Sequence, residues 1–246
     1  MLETEKGNMK VDKLRVILLM EADFNMANKL MFGHRMMQHA EQTGQVPDEC
    51  FGSRNGHDAQ ELGLARRVVA DLSRQRRWPV AVASVDAQTC YDRIVHSVAS
   101  ICCQRWDVDP HPIIAMLSTI QRMKFHLRTG YSDSEAYYGG STEGVPFQGV
   151  CQGNGAGPAV WLAVSVILVS IMHDKGHANT IRSALSATTI IFAAFLFIDD
   201  TDLIRFAEQE ETTPLEVVQQ MQDGVEQWQG ALRATGGALK QEKCSW

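Results

Sequence analysis

The chain has 246 residues, 45% of them hydrophobic and 21% charged, with 23 Lys plus Arg against 29 Asp plus Glu and a net charge of −6. That balance suits a globular protein of one or two domains; it excludes a disordered tail, a collagen-like fibre and a disulfide-dense miniprotein. The charge is uneven, because residues 183–246 hold 4 basic against 10 acidic side chains and so account for the whole net charge.

Bulk acidity counts against nucleic-acid binding, since phosphate contacts need cations. The one dense basic stretch is Arg66, Arg67, Arg74, Arg76 and Arg77, and it reads either as a solvated helix face or as a binding surface. Six cysteines show no CxxC spacing, which argues against a zinc site. The polar start, Met1 to Lys10, is not a secretory signal, so an intracellular location, nuclear or cytoplasmic, is expected. The longest apolar run, Ala159 to Met172, has 14 residues, short of the ~20 that a membrane span needs. A buried helix and no membrane partner are expected.

In chain order, residues 1–13 read as a flexible N-terminus and Leu14 to Met20 as a short extended segment. Phe24 to Ala40 carries Met26, Leu30, Met31, Met36 and Met37 at helical spacing, and Ala59 to Arg77 reads as a second helix after a Gly- and Pro-rich loop. From Pro79 to Asp86 the period becomes two, with Val80, Val82, Ser84 and Asp86 on one face and Ala81, Ala83 and Val85 on the other. Small or apolar residues on both faces suggest a central strand. Helices over about 93–105 and 112–123 follow, then short β-prone pieces in 124–148, and a glycine-rich turn at Gly153 to Pro158 opens the apolar helix. Residues 173–187 give no clear pattern, while Thr188 to Ile198 reads as one strand ending in Asp199-Asp200, with Leu203 to Phe206 resuming it.

The last helix, 214–235, is the best specified. Thr213 with Glu216 fits a capping box, Pro214 the first helical position and Gly236 the residue past the end. Leu215, Val218, Met221, Val225, Trp228 and Leu232 would form its buried stripe. This order predicts an α+β fold, with helices packed on one face of an antiparallel sheet.

Two of these strands end in carboxylates. Neighbouring strand residues point to opposite faces, so Asp199 and Asp200 come together only if the chain turns there, with both acids at the tip of a hairpin. A strand 80–86 beside that hairpin would add Asp86. Three such carboxylates need a counter-charge, which hard divalent ions with oxygen ligands supply. Two ions ~3.5–4 Å apart can hold the attacking and leaving oxygens of a phosphoryl displacement. A polar turn without metal is the plainer alternative. His173 and His177 are four residues apart, but Gly176 lies between them and no third ligand is evident.

Four ordered segments resemble the palm motifs of reverse transcriptases, most closely those of non-LTR retrotransposons and group II introns. Val85-Asp86-Ala87-Gln88-Thr89-Cys90-Tyr91-Asp92 is similar to the first, and Gly149-Val150-Cys151-Gln152-Gly153 through Gly157-Pro158 to the second, with Cys151 in place of the usual proline. Phe197-Ile198-Asp199-Asp200 looks like the YxDD or FxDD box, and Gly236-Gly237-Ala238-Leu239-Lys240 through Lys243 like the fourth motif. Arg15 through Leu19 and Phe51-Gly52-Ser53-Arg54 resemble upstream fingers segments.

The resemblance implies a polymerase palm over 80–246 and partial fingers over 14–79, with fingers elements interleaved near 106–148. It implies that the thumb and further domains of a parent polyprotein are absent from the chain. It also implies RNA-templated DNA synthesis with an RNA template, a DNA primer, dNTPs and two Mg²⁺ ions, for which Mn²⁺ can substitute. Asp86, Asp199 and Asp200 would be the catalytic acids, with the Ala87 carbonyl as a further metal ligand. Tyr91 would exclude a 2′-hydroxyl, while Gln152, Gly153, Arg15 and Lys243 would meet the nucleotide, Lys243 at the leaving pyrophosphate. Arg54 would touch the template. The alternatives are an inactive relic or palm-fold nucleic-acid-binding module, and a palm RNA polymerase, which a bulky Tyr91 disfavours.

Overall fold

The computed structural model describes residues 17–139, 147–183, 185–207 and 211–246, with the backbone of 2–3 and 14–15. The first half holds β1 (Leu2–Glu3), β2 (Leu14–Arg15), α1 (Ala22–Asn28), a π-helical stretch (Lys29–Met36), α2 (Met37–Gln42), α3 (Ala59–Arg76), β3 (Val80–Asp86), α4 (Cys90–Arg93), α5 (His96–Arg105) and α6 (Pro110–Arg122). The second half holds β4 (Lys124–Arg128), β5 (Asp133–Gly139), α7 (Gly157–Asp174), β6 (Asn179–Arg182), β7 (Thr189–Phe192), β8 (Ala194–Phe197), β9 (Asp200–Phe206) and α8 (Pro214–Ala234). Two compact units interleave along the chain, one from residues 1–39 and 91–160, the other from 40–90 and 161–246. Each therefore draws on both the 14–79 and 80–246 segments.

In the first unit, the Asp109 carboxylate caps α6 by accepting from the His111 N–H at 2.8 Å, and Pro110 needs no such partner. Ile113, Met116, Leu117 and Ile120 then fall on one buried face. The predicted helix 93–105 is interrupted: α4 stops at Arg93 and α5 restarts at His96. His96 is buried at the restart, with Nε2 donating to the Gly149 carbonyl at 2.7 Å and Nδ1 accepting from Gln121 Nε2 at 2.9 Å. These partners define the neutral ring with its proton on Nε2. Burial lowers the His96 pKa, and the Gly149 carbonyl offsets part of that. The β-prone region expected at 124–148 holds the antiparallel β4–β5 hairpin, where Phe125 stacks on Tyr138; residues 140–146 lie outside the described residues.

The apolar helix α7 is long and apolar enough, by length and composition, to cross a membrane. Most of it is buried, however, with Val160, Val164 and Leu168 fully enclosed. Cys50, Cys90, Cys102, Cys103 and Cys151 are buried free thiols, and Cys244 is half-buried. Burial pushes Cys50, Cys103 and Cys151 up to about 12.

The second unit is built on a three-stranded antiparallel sheet in the order β3–β9–β8. Val80 pairs with Phe206 and Asp86 with Asp200, while Ala194 pairs with Leu203 and Phe197 with Asp200. Four expectations need correction. First, β3 is an edge strand, not a central one, and its Val80 and Val82 are 43% and 42% exposed. Second, helices cover both faces of the sheet. Leu62 and Val69 of α3 cluster with Phe195, Ile204 and Phe206 on one face, and Arg205, on the other, donates to Gln220 of α8 at 2.8 Å. The sheet is apolar at alternate positions on both sides, so one layer of helices could not bury it.

Third, the run 188–198 is two strands. The break falls at Ala193, where buried Glu49 Oε1 accepts from the N–H groups of Ala193 (2.5 Å) and Ala194 (3.2 Å) and Oε2 bonds His173 Nε2 at 2.8 Å. The region without a clear pattern before it contains β6, which pairs with β7. Its fully buried Asn179 donates to the Phe192 and Ile204 carbonyls and accepts from the Phe206 N–H, pinning that hairpin to β9. Fourth, α8 has its capping box and Gly236 at positive φ as expected, and Met221, Trp228 and Leu232 are buried, but the first turns differ: Val217 is enclosed while Leu215 is 79% exposed and Val218 is exposed too.

Neutral His96 sets a pH dependence. Its folded pKa is depressed, so the unfolded chain takes up a proton first as pH falls through about 6.5, and stability is lost below that point. In denaturant titrations at pH 7.5 and 5.5, His96→Gln should show a smaller loss on acidification than the wild type; an equal loss would refute the assignment.

Candidate active site

Both acidic segments arrive at one end of the second unit's sheet. Asp86 closes β3 directly opposite Asp200, the first residue of β9, and Phe197 of β8 faces Asp200 from the other side. Only Ile198 and Asp199 remain to make the turn. Two-residue hairpin turns need positive φ at the first central residue, and Ile198 has φ 58. A β-branched residue there costs about 1–2 kcal/mol. Its surroundings hold it: Trp161 Nε1 donates to the Ile198 carbonyl at 2.7 Å, and the Ala87 N–H reaches the Asp199 carbonyl at 3.4 Å. Behind the turn lies Gly52, where a Cβ would collide with the Ile198 backbone.

Gly52 belongs to a loop paired onto the free edge of β8, with the Phe51 N–H on the Leu196 carbonyl and the Leu196 N–H on the Glu49 carbonyl, both at 2.9 Å. Arg54 staples that loop. Its Nε and Nη2 donate to the two oxygens of Glu41 at 2.7 and 2.9 Å, and its Nη1 to the Pro47 and Cys50 carbonyls. The Arg54 side chain is 7% exposed. Burial works against its charge, but the Glu41 bonds more than restore it and the pKa is raised. The expected template contact is thus replaced by an inward, structural one.

Period two places Ser84, Asp86, Asp200 and Asp202 on one face of β3 and β9. Asp202 is 2% exposed, where a charge needs partners. It has two: Ser84 Oγ donates at 2.6 Å, and Arg66 of α3 forms an ion pair. The outer edge of β3 is closed by the C-terminal segment, through paired bonds between Ser84 and Ser245, the Lys240 N–H on the Asp86 carbonyl and the Gln88 N–H on the Ala238 carbonyl. That segment places Lys243 Nζ 2.9 Å from Asp86 Oδ2. Asp86, Asp200, Asp202, Arg66 and Lys243 together line a cavity of about 460 Å³. Among the described residues, no three His, Cys, Asp or Glu side chains already converge as a metal cage, and His173 is paired with Glu49.

The other expected residues lie in the first unit. Tyr91 is the second residue of α4, and a Cβ added at Gly157, the start of α7, would touch its ring. The Gln152 N–H donates to Asp92 Oδ1 at 3.1 Å; burial raises the Asp92 pKa and this bond lowers it in part. Gly153 has φ 115, and a Cβ there would strike the Leu18 carbonyl, so its glycine is demanded inside the fold. Arg15 contributes its backbone to β2, and its side chain lies outside the described residues. Sequence reasoning missed Asp202 and its pairing with Arg66 and Ser84. Reading the strand period onward from Asp200 to Asp202 would have raised the question of a buried carboxylate and its cation.

No protein-family profile matches the chain, and no curated protein matches it. Solved structures do. Telomerase from Candida albicans, solved with the TWJ fragment of telomeric RNA, superposes with a TM-score of 0.51 at 10% identity, over 87% of this chain and 33% of that one. Telomerase from Candida tropicalis, also with a TWJ fragment, gives 0.52 at 13% identity over 91% and 34%. The fold is like that of these telomerase chains. At such identity the likeness is one of fold alone, and the chain spans about a third of the length of these telomerase chains.

The support of the turn can be tested by stability. Gly52→Ala should destabilise the chain by about 1–3 kcal/mol through overpacking against Ile198. Gly63→Ala, in the α3 interior where a Cβ meets nothing within 4 Å, should stabilise it by roughly 1 kcal/mol. Denaturant unfolding reads both, and equal effects would remove Gly52 from this role.

Proposed function

We propose that the chain performs RNA-templated DNA synthesis as the reverse transcriptase domain of a retroelement, inside the cell. The 3′-hydroxyl of a DNA primer attacks the α-phosphate of a dNTP paired to the RNA template, and pyrophosphate leaves. The observation that carries this reading is the Asp86–Asp200 register with Asp199 in the adjoining two-residue turn, set in a reverse-transcriptase-like fold.

The donor chemistry fits a hard divalent ion: two carboxylates face each other, a third is adjacent, and a lysine has already been drawn to Asp86. Asp86, Asp199 and the Ala87 carbonyl would hold Mg²⁺, or Mn²⁺ in its place, with Asp200 in support. The metal would supply positive charge at the reacting oxygens and would make the attacking hydroxyl more acidic. The chain does the rest by positioning and electrostatics. The Tyr91 ring excludes a 2′-hydroxyl, Gln152 and Gly153 border the nucleotide, and Arg15 meets the triphosphate as a guanidinium fork. Lys243 gives its Nζ proton to the departing pyrophosphate.

A second reading, a palm-fold nucleic-acid-binding module without catalysis, is favoured by one observation: Lys243 already neutralises Asp86. Primer extension on an RNA template with Mg²⁺ or Mn²⁺ separates the two. Extension that is lost in Asp199→Asn is expected, whereas nucleic-acid binding with no extension supports the module. Tyr91→Ala should raise ribonucleotide incorporation relative to dNTPs, and unchanged discrimination would remove Tyr91 from the sugar gate.

A further inference from the structure

The glycine-rich turn that opens α7 is held by two side-chain amides of α1. Asn25 and Asn28 are three residues apart and share one flank of that helix. Asn25 grips the turn at two points: its Nδ2 donates to the Gly153 carbonyl at 3.2 Å, and its Oδ1 accepts from the Gly155 N–H at 2.6 Å. The pair of bonds fixes the orientation of the amide, since the reverse would set oxygen against carbonyl and NH₂ against N–H. Asn28, buried, donates to Asn154 Oδ1 at 3.1 Å, and Asn154 Nδ2 donates to the Val150 carbonyl at 2.9 Å. The approach is close. A Cβ on Gly155 would collide with Lys29 Cβ, and one on Gly33 would press on the Gly155 carbonyl.

The same turn leaves two donors facing outward. The Gln152 N–H donates to Asp92 Oδ1 at 3.1 Å, and the Gln152 carbonyl accepts from the Leu18 N–H at 2.9 Å. In a trans peptide the C=O and the next N–H point opposite ways, so the Gly153 N–H faces away from Leu18. Gly153 is exposed, and neither its N–H nor the Gln152 side-chain amide has a hydrogen-bond partner among the described residues. Gly153, Gly155 and Gly157 make the segment intrinsically loose, so its shape depends on the outside grip.

We propose that Asn25 is a positioning residue for the incoming nucleotide. By clamping Gly153 and Gly155 it keeps the Gly153 N–H and the Gln152 amide turned outward, and the Gly153 N–H donates to an oxygen of the nucleotide. This rests on the polymerase reading, in which Gln152 and Gly153 border the nucleotide. An aspartate at position 25 would keep the bond from the Gly155 N–H but set an oxygen against the Gly153 carbonyl, releasing one end of the clamp alone.

The test is primer extension with dNTP varied, for the wild type, Asn25→Asp and Asn25→Ala, with thermal melts alongside. Release of the clamp should raise KM for dNTP about tenfold, the size of one hydrogen bond, with kcat within about twofold. Met26→Ala, at an exposed neighbouring position on α1, should leave both constants unchanged. Asn25→Ala introduces a good helix former and carries the test if Asn25→Asp fails to fold. A wild-type KM in a folded variant, or a loss confined to kcat, overturns the proposal. A second readout does not depend on turnover. Carbonyl-¹³C glutamine combined with ¹⁵N glycine selects the amides of Gly149, Gly153 and Gly230, each of which follows a Gln. On addition of dATP with Mg²⁺ the Gly153 signal should move in the wild type, with the shift reduced in Asn25→Asp, while Gly230, inside α8, stays in place. Equal movement in the two proteins overturns the proposal. Movement in a chain that extends no primer would retain the nucleotide contact and refute the polymerase; a still signal in a chain that does extend would refute the contact alone, and a still signal without extension would refute both.

Discussion

The two-residue turn at Ile198-Asp199 is the constraint on which the site depends. A longer turn would change the register of β8 on β9 and carry Asp199 away from the facing pair of Asp86 and Asp200, since a slip of one residue sends every side chain of β8 to the other face. Keeping it short forces Ile198 to positive φ, a conformation that persists only when its surroundings over-determine it. Trp161 supplies the hydrogen bond, and Gly52 supplies the room. The loop around Gly52 keeps its place through Arg54 and Glu41. A chain of short-range contacts thus runs from a buried guanidinium to the position of two carboxylates.

Electrostatics divides this end of the sheet into two levels. Asp202 is enclosed and fully partnered by Ser84 and Arg66, so it serves as a fixed structural anion. Asp86 and Asp200 line the same cavity, and Asp86 is paired with Lys243, a cation that is itself half exposed. Lys243, half exposed, can leave for solvent at lower cost than a fully buried cation. The inner pair cannot, because breaking it strands a buried charge.

Much of this was legible in the sequence. The alternation over Val80 to Asp86 gave the strand and its faces, and Thr213, Pro214, Glu216 and Gly236 marked both ends of α8, because capping is local chemistry. What escaped depended on distant partners. The break at Ala193 is made by Glu49, some 144 residues earlier, and no local pattern announces it. Strand β6 was hidden because its anchor is Asn179, a polar residue buried by three backbone bonds. Only the start of the α8 stripe was misplaced, because Leu215 and Val218 are as apolar as Val217 and periodicity alone does not decide which is covered; Met221, Trp228 and Leu232 are buried as expected. Likewise the carboxylate partner of Arg54, Glu41, lies 13 residues earlier in the chain, and no local pattern links the two.

The distribution of thiols has a practical consequence. Five of the six cysteines are enclosed, and burial holds Cys50, Cys103 and Cys151 as unreactive neutral thiols. Cys244 is set apart by its partial exposure, and it follows Lys243 on the segment that zips against the edge of β3. The molecule therefore carries its own attachment point for a single probe. A dye or spin label placed there would report whether that edge stays closed when the lysine leaves its carboxylate, without any residue having been introduced for the purpose.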